Sequence, residues 1–382
     1  MSAITYIGVD DTDLALFEGL YAIPNGVSYN SYLIVDDKVA IVDAVDVRKR
    51  DAWLSKLNAA IGSREVDYLI LNHLEPDHSG SLIAVVERFP ELKIVCSARA
   101  QPMLSQFFED IDFVERTIVV AEGDIINLGS HTLKFFMAPM VHWPEVMVSY
   151  EMSEKVLFSA DAFGKFGALS HKEEWVSEAR RYYFNICGKY GVPVQALLKK
   201  ILLMDIKTIA PLHGAMLTEN LDYYIGLYDC WSRYEAERAG VLIAYASIYG
   251  GTAAVAHKFA DMLRSRGVQK LVVTDLGRDD KSEAVEAAFR MENMVLLSAS
   301  YDGEMFPPMH DFLHHLQLKG YRSRRVAIIE NGSWAPCAAR AIKAMLEPMR
   351  EIGILEPIIT IRSRFKQSDI PALERLADAV VK

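Results

Sequence analysis

The sequence has few cysteines and no surplus of positive charge. Its four cysteines, Cys96, Cys187, Cys230 and Cys337, contain no C-x-x-C pair among 382 residues. This spacing argues against a disulfide framework, an iron–sulfur cluster or a zinc ribbon within the chain, and we expect buried, unreactive thiols. Lys and Arg number 41 against 51 Asp and Glu, a formal charge of -10. Nucleic acids and anionic membranes are bound mainly by clustered Lys and Arg, so we expect neither as a partner.

Long apolar runs are also missing. No stretch of 18 uncharged apolar residues occurs, and Met1 to Asp10 lacks the charged and apolar regions of a secretion signal. The sequence therefore predicts a cytoplasmic protein. Its length suggests two domains, each large enough to bury its own core.

The pattern of elements changes near residue 240, where a polar helix end closed by Gly240 meets an apolar run. We predict domains at 1–239 and 240–382. In the first, many short β-type runs with interspersed helices predict two packed sheets covered by helices. In the second, five βα units predict a doubly wound parallel sheet. The predicted strands there are 241–246, 270–275, 294–298, 325–330 and 358–361, and the predicted helices are 253–266, 282–292, 308–318, 336–350 and 369–381.

Four possible metal ligands lie within six residues directly after an apolar strand: His73, Glu75, Asp77 and His78. Pro76 and Gly80 predict a loop here and not a regular helix. A loop at the end of a strand can turn such side chains towards one point. Two histidines and two carboxylates at this density favour a metal site over a solvated polar loop.

Three further candidates each follow or end a strand: His142, Asp161 and His213. Each alone fits a core or turn residue equally well. Four imidazoles and three carboxylates together are too many for one four-coordinate ion and suit a pair of ions, for which we expect Asp161 to be the bridge. Carboxylate at Glu75 makes the site harder and more anionic, which favours iron or manganese, although zinc competes for the same ligands.

A second site is predicted at the start of the second half. The loop Ser247-Ile248-Tyr249-Gly250-Gly251-Thr252 joins a strand to a helix, so hydroxyls, backbone N–H groups and the helix N-terminus converge on one anion. The P-loop lysine and any G-x-G are absent, which argues against triphosphates and dinucleotides. The loop resembles the phosphate loop of flavodoxin, which implies FMN. The ring-binding loops would then contribute Ser300, Tyr301, Asp302, Gly303, Asn331, Gly332, Ser333, Trp334 and Ala335.

The ordered ligand set resembles that of the metallo-β-lactamase fold, an αβ/βα sandwich, although its hydrolases usually carry His where Glu75 stands. With a flavodoxin-like domain behind it, the whole chain resembles the flavodiiron proteins, or A-type flavoproteins. The resemblance implies FMN and two non-haem iron ions. His73, Glu75, His142 and Asp161 would bind one iron, and Asp77, His78, Asp161 and His213 the other. In some members the histidine matching His78 does not coordinate.

The resemblance also implies the reaction and the partners. Dioxygen would be reduced to water, nitric oxide to nitrous oxide, or both. The chain lacks rubredoxin-type cysteines and therefore resembles the minimal two-domain class, which uses an external electron donor. Rubredoxin, a reduced deazaflavin and a flavin reductase are all candidates for this donor. Members form head-to-tail homodimers, here a dimer or tetramer, that bring each FMN beside the irons of the neighbouring subunit.

For some residues, the sequence does not distinguish a functional role from a packing role. His171 and Tyr183 fit hydrogen bonding or proton donation near the metals and fit simple packing equally well. Trp143 and Glu145 are candidates for contact with a neighbouring subunit's flavin. Asn25 stands in a loop where some members place a basic residue, which leaves the gas preference open. The main alternative function is a dinuclear zinc hydrolase with a regulatory flavodoxin domain, and a flavin electron carrier with a metal-free docking half is a further one.

Overall fold

Short runs of β-branched and aromatic residues form most strands before residue 211. The computed structural model describes residues 4–109 and 113–382, which divide into two units. The first unit extends to Tyr183 and includes Val192–Asp229; the second consists of Phe184–Gly191 and Cys230–Lys382. The domain boundary near residue 240 stays a prediction.

The elements up to residue 232 run in the following order. The strands are β1 Ile4–Tyr6, β2 Val9–Asp11, β3 Leu16–Phe17, β4 Tyr21–Ala22, β5 Val27–Tyr29, β6 Tyr32–Val35, β7 Val39–Val42, β8 Tyr68–Ile70, β9 Lys93–Ser97, β10 Thr117–Val120, β11 Ile125–Asn127, β12 Thr132–Met137, β13 Met147–Glu151, β14 Val156–Phe158 and β15 Thr208–Ala210. The helices are α1 Arg50–Ile61, α2 Pro76–Ser79, α3 Leu82–Arg88, α4 Ala100–Phe107, α5 Trp175–Ile186, α6 Gly191–Ile201 and α7 Leu221–Ser232.

Two sheets form the first unit. One has the strand order β1-β6-β7-β8-β9-β10 and the other β11-β12-β13-β14-β15. Alternate side chains of β6, including Tyr32 and Ile34, share one buried core with Leu133 and Phe135 of β12. This period of two along both strands is the expected signature of a strand with one face on a core. The predicted pair of packed sheets is confirmed.

The connections place the predicted ligands at strand ends. His73 follows β8, and His142 lies between β12 and β13. Asp161 and His213 follow β14 and β15, which are neighbouring parallel strands. Because parallel neighbours end at the same sheet edge, these two side chains start close together.

The second unit carries a parallel sheet with helices between its strands. The strands are β16 Arg238–Ala246, β17 Leu271–Asp275, β18 Met291–Tyr301, β19 Glu304–Met305, β20 Arg324–Asn331, β21 Ile352–Ile354 and β22 Ile359–Ile361, and the helices are α8 Gly251–Ser265, α9 Lys281–Arg290, α10 Pro307–Leu318, α11 Ala338–Leu346 and α12 Ile370–Val381. The order is β17-β16-β18-β20, with β22 parallel to β20, so the five βα strands follow the flavodoxin order 2-1-3-4-5. The predicted doubly wound sheet is confirmed.

Some local predictions were wrong. Pro76–Ser79 forms one helical turn, because proline is compatible with the first position of a helix. The helix predicted at 282–292 ends at Arg290, since β18 already begins at Met291. The helix predicted at 336–350 ends at Leu346, before the unpredicted strand β21.

Two small two-stranded antiparallel sheets, β2 with β5 and β3 with β4, were also not predicted. No helix in the described ranges combines the length and the apolarity that crossing a membrane requires.

Candidate functional site

The seven predicted metal ligands come together in the first unit as two adjoining groups. One group contains His73, Glu75, His142 and Asp161, and the other contains Asp77, His78 and His213. Within each group the candidate ligand atoms all lie within 4.8 Å of one another. Most of these side chains are buried, while those of Glu75 and Asp77 are 16% and 13% exposed.

Asp161 lies between the two groups. Its Oδ2 is 3.1 Å from Nε2 of both His73 and His142. Its Oδ1 is 3.2 Å from Nε2 of His78 and 3.6 Å from Nε2 of His213. One carboxylate thus presents one oxygen to each group, which is the arrangement of a ligand shared by two ions.

The remaining carboxylates complete each half of the cluster. Glu75 Oε2 lies 3.1 Å from His73 Nε2 and 3.0 Å from His142 Nε2. Asp77 Oδ2 lies 3.3 Å from Nε2 of both His78 and His213. Each half therefore gathers nitrogen and oxygen atoms around a separate point.

Hydrogen bonds from the far ring nitrogen orient two of the histidines. His73 Nδ1 lies 2.7 Å from Glu145 Oε1, and His213 Nδ1 lies 2.7 Å from the Ser28 carbonyl. Each Nδ1 donates in these bonds, since the Ser28 carbonyl can only accept and Glu145 also accepts from the Leu74 N–H. Nε2 is then left with its lone pair facing the cluster, as a metal ligand requires.

A buried carboxylate beneath the cluster fixes the backbone of the first ligand loop. Asp43 is completely buried and accepts hydrogen bonds from Asn72 N, Asn72 Nδ2 and His73 N. Burial raises the pKa of Asp43 to about 6, although these bonds oppose the shift. These hydrogen bonds therefore fix the backbone of the loop after β8.

Histidines and carboxylates shift one another's pKa values. Burial alone would lower the pKa of His142, but Asp161 and Glu75 raise it to about 9. Burial alone would raise the pKa of Glu75, but His142 and His73 lower it to about 2. The carboxylates thus favour positive charge at the centre of the cluster, and a bound cation would take that role by displacing protons.

The donor atoms of the cluster fit a pair of metal ions. Within the described part of the chain, buried atoms without a hydrogen-bond partner include both carboxylate oxygens of Asp77 and Asp161 and Nε2 of His78 and His213. Buried polar atoms are nearly always satisfied in folded proteins. Coordination of two cations would satisfy them, and the mixed nitrogen and oxygen set suits iron or manganese as well as zinc.

The second unit has an open cavity of about 590 Å³ at the carboxyl edge of its sheet. Every residue predicted to contact a flavin lines it except Gly250: Ser247, Ile248, Tyr249, Gly251, Thr252, Ser300, Tyr301, Asp302, Gly303, Asn331, Gly332, Ser333, Trp334 and Ala335. Tyr249 and Trp334 are 99% and 89% exposed. Large exposed aromatic side chains beside a cavity are well placed to cover a planar ring.

One end of this cavity suits a phosphate. Gly250 precedes α8 with a φ of +85°, and its N–H donates to Ser247 Oγ. No described side chain caps the N-terminus of this helix. The first N–H groups of α8 therefore stay available for an anion, which fits the predicted phosphate site.

Comparisons with known proteins found similarity over both units. A family model described as "ODP family beta lactamase" matches residues 27–214. A nitric oxide reductase from Moorella thermoacetica is 29% identical over 94% of this chain and 92% of its own length. A flavodiiron protein from Giardia intestinalis superposes with a TM-score of 0.92 at 24% identity, covering 99% of this chain and 95% of its own.

The rubredoxin oxygen:oxidoreductase from Desulfovibrio gigas also superposes with a TM-score of 0.92, at 23% identity, covering 99% of this chain and 96% of its own. The likeness thus extends over both units. Over its whole length, this chain is therefore similar to flavodiiron proteins.

The fold does not bring every predicted residue into the cluster. His171 is exposed and belongs to neither group of ligands among the described residues. Tyr183 is completely buried, and its ring packs edge-on against Tyr228 at a centroid distance of 5.1 Å. Asn25 donates from Nδ2 to Glu173 Oε2 at 2.9 Å. Functional roles for these residues stay predictions.

Several residues have contacts that the sequence did not indicate. Glu145 is 2% exposed and turned towards His73, whereas Trp143 packs edge-on against the same ring at 5.4 Å. Cys337, expected to be buried, is half-buried and lines the cavity of the second unit, as do Ser363 and Arg364. The last two follow β22, and the rule that ligands bind at the carboxyl ends of parallel strands could have indicated them.

Proposed function

We propose that this chain is a flavodiiron oxidoreductase that reduces dioxygen to water, nitric oxide to nitrous oxide, or both. The observation that carries the proposal is Asp161, which presents one oxygen to each of two ligand groups in a chain that also has a flavodoxin-like cavity. The names of a nitric oxide reductase and of a rubredoxin oxygen:oxidoreductase among the similar proteins support it.

The proposed domain at 1–239 would bind the metal ions, and the proposed domain at 240–382 would bind FMN. His73, Glu75 and His142 would hold one iron and Asp77, His78 and His213 the other, with Asp161 shared. When bound, two irons and FMN supply the electrons that either gas needs, refilled by an external donor. Glu145 and Ser28 keep the ring nitrogens of His73 and His213 directed at the metals.

The main alternative is a dinuclear zinc hydrolase of the same sandwich fold. Its motif would prefer a histidine where Glu75 contributes a carboxylate. The chain's Glu75 lies 3.0 Å from His142 Nε2 and adds a hard anionic donor, which favours iron. The flavodoxin-like cavity also has no role in hydrolysis. Both observations favour the oxidoreductase.

The deciding experiment combines composition with reactivity. Iron, zinc, manganese and FMN are quantified in the purified protein, which is then reduced anaerobically and mixed separately with each gas. We expect about two irons and one FMN per chain, with rapid reoxidation by one or both gases. Asp161→Ala should lose iron and gas consumption, whereas Asp205→Ala, at an exposed surface ion pair, should lose neither.

Two results would contradict the proposed function. One is a wild-type protein that contains two zinc ions and leaves both gases unconsumed. The other is an Asp161→Ala variant that retains both metals and full turnover, which would show that Asp161 is not the bridge.

The electron donor and the assembly belong to the same proposal. A rubredoxin, a reduced deazaflavin or a flavin reductase would reduce the FMN. We propose a head-to-tail homodimer, alone or within a tetramer, so that each FMN reacts with the irons of a neighbouring subunit.

A further inference from the structure

The loop after β22 forms part of the wall of the cavity in the second unit, beside the phosphate loop. Ser363 and Arg364 line this cavity together with Gly251, the first residue of α8. A Cβ placed on Gly251 would lie 3.0 Å from the Ser363 carbonyl oxygen. The loop carrying Arg364 therefore abuts the helix N-terminus at which the phosphate is proposed to bind.

Hydrogen bonds to the neighbouring loop fix the position of this segment. Asn331 Nδ2 donates to the Ser363 carbonyl at 3.1 Å, and the hydroxyls of Ser363 and Ser333 are 2.8 Å apart. Ser363 has a φ of +66°, and the Arg364 N–H donates to the Arg362 carbonyl at 2.9 Å. The backbone before Arg364 is thus anchored, and its side chain starts from a defined place on the cavity wall.

The charges around the cavity single out Arg364. The loop Ser247–Thr252 has no charged side chain. Among the described residues that line the cavity, Arg364 is the one cation and Asp302 the one anion. The guanidinium of Arg364 makes no ion pair and no hydrogen bond within the described ranges. It can therefore serve a bound anion without breaking an existing contact.

We propose that Arg364 binds the phosphate of FMN and makes the site select FMN over riboflavin. The proposal rests on the proposed flavin site and extends it to one residue that confers specificity. A phosphomonoester carries nearly two negative charges at neutral pH, and a planar guanidinium can donate two parallel hydrogen bonds to its oxygens. The helix N-terminus supplies partial charge at the same anion, and Arg364 adds a full one.

The test compares two flavins that differ only by the phosphate. Flavin-free protein is titrated with FMN and with riboflavin, and quenching of flavin fluorescence gives each dissociation constant. Arg364→Gln should weaken FMN binding about tenfold, since a hydrogen bond to a charged group contributes about 1.5 kcal/mol or more. Riboflavin binding should stay within about twofold.

Two further variants separate charge from shape. Arg362→Gln, on the same exposed loop but outside the cavity lining, should bind both flavins like wild type. Arg364→Lys should recover part of the lost FMN affinity because it restores the charge without the planar donor pair. Raising the salt concentration should weaken FMN binding more in wild type than in Arg364→Gln.

The outcomes distinguish this inference from the proposed function. If wild-type protein binds both flavins and Arg364→Gln shows the same ratio of the two dissociation constants, the inference about Arg364 is contradicted. The proposed flavin site is not affected by that result. Equal weakening of both flavins would assign Arg364 to general cavity structure and overturn the inference. Failure of wild-type protein to bind either flavin would contradict the flavin site itself.

Discussion

Side chains that hydrogen-bond to the candidate metal ligands are expected to keep these ligands in position. Glu145 shows this most directly, because Oε1 accepts from both His73 Nδ1 and Leu74 N. Replacing Glu145 with Ala should free the His73 ring to rotate and should lower metal affinity about 10- to 100-fold. The loss should concentrate on the group of His73, Glu75, His142 and Asp161. Metal titration of metal-free protein, read by elemental analysis, measures it.

The matched control for this prediction is Glu145→Gln. Its amide oxygen can still accept from His73, so metal affinity should lie closer to wild type than to Glu145→Ala. A circular dichroism spectrum checks that both variants fold. Equal metal affinity of Glu145→Ala and wild type, in folded protein, would show that His73 needs no such support.

Residue types and spacing were enough to predict that seven candidate ligands lie close together, but not which residues support them. His73, Glu75, Asp77 and His78 are dense in sequence, and such density is visible without a structure. Glu145 is 72 positions from His73, and nothing local distinguishes it from other acidic residues. Its role arises only where the β12–β13 connection meets the loop after β8, which is a tertiary contact.

At the scale of elements, an ion pair links turns from the two sheets of the first unit. Asp36, in the β6–β7 turn, accepts from the backbone N–H of His131, before β12, at 2.7 Å and lies 2.6 Å from its Nδ1. Burial alone would raise the pKa of Asp36, but hydrogen bonds from His131 and Ser130 hold it well below its usual range. Burial alone would lower the pKa of His131, but Asp36 and nearby Glu151 raise it.

These shifts predict a pH dependence of stability. His131, with a raised pKa, stabilises fully below its unfolded pKa of about 6.5 and loses this effect as pH rises through its folded pKa. Asp36, with a lowered pKa, stabilises above about 3.9 and loses this effect as pH falls. The pair should therefore stabilise most between about pH 4 and 6.5.

The substitution His131→Gln tests this window, because glutamine can keep a hydrogen bond to Asp36 without titrating. The stability difference between wild type and variant should be about 1 kcal/mol near pH 6 and should shrink towards pH 9. Urea unfolding followed by circular dichroism at several pH values measures it. A difference that stays constant from pH 6 to 9 would show that the charge on His131 contributes nothing.

Elements differed in how well the sequence predicted them, for physical reasons. Parallel strands such as β16 and β20 are buried on both faces, so continuous apolar runs indicated them. The hairpin of β3 and β4 has only two residues in each strand, too few for any period to appear. The turn α2 is hard to predict because proline breaks a helix interior but is compatible with the first helical position, which Pro76 occupies.

At the scale of the whole molecule, the negative charge is unevenly distributed along the chain. Residues 1–239 contain 34 Asp and Glu against 22 Lys and Arg, whereas residues 240–382 contain 17 against 19. The acidic surplus thus belongs entirely to the part that carries the metal ligands. Between two copies, pairing unlike parts is electrostatically favoured over pairing the two acidic parts, which supports a head-to-tail dimer.

A head-to-tail dimer makes a prediction that mixed variants can test. Asp161→Ala removes the proposed shared metal ligand, and Gly251→Leu fills the proposed phosphate end of the cavity beside Ser363. Each variant alone should be inactive. After mixed refolding or co-expression in equal amounts, half of the dimers should be mixed, and each should contain one intact FMN facing one intact metal centre. Gas consumption should then recover to about a quarter of the wild-type rate.

The control mixes two variants that both change the metal site. Mixing Asp161→Ala with a second metal-site variant, His142→Ala, leaves every subunit without an intact metal centre and should recover nothing. Mixed dimers can be verified by two different affinity tags on the two chains. If tagged mixed dimers form and stay inactive, electrons pass within one chain. Head-to-tail pairing would then have no catalytic role, because each subunit would have to carry both intact sites.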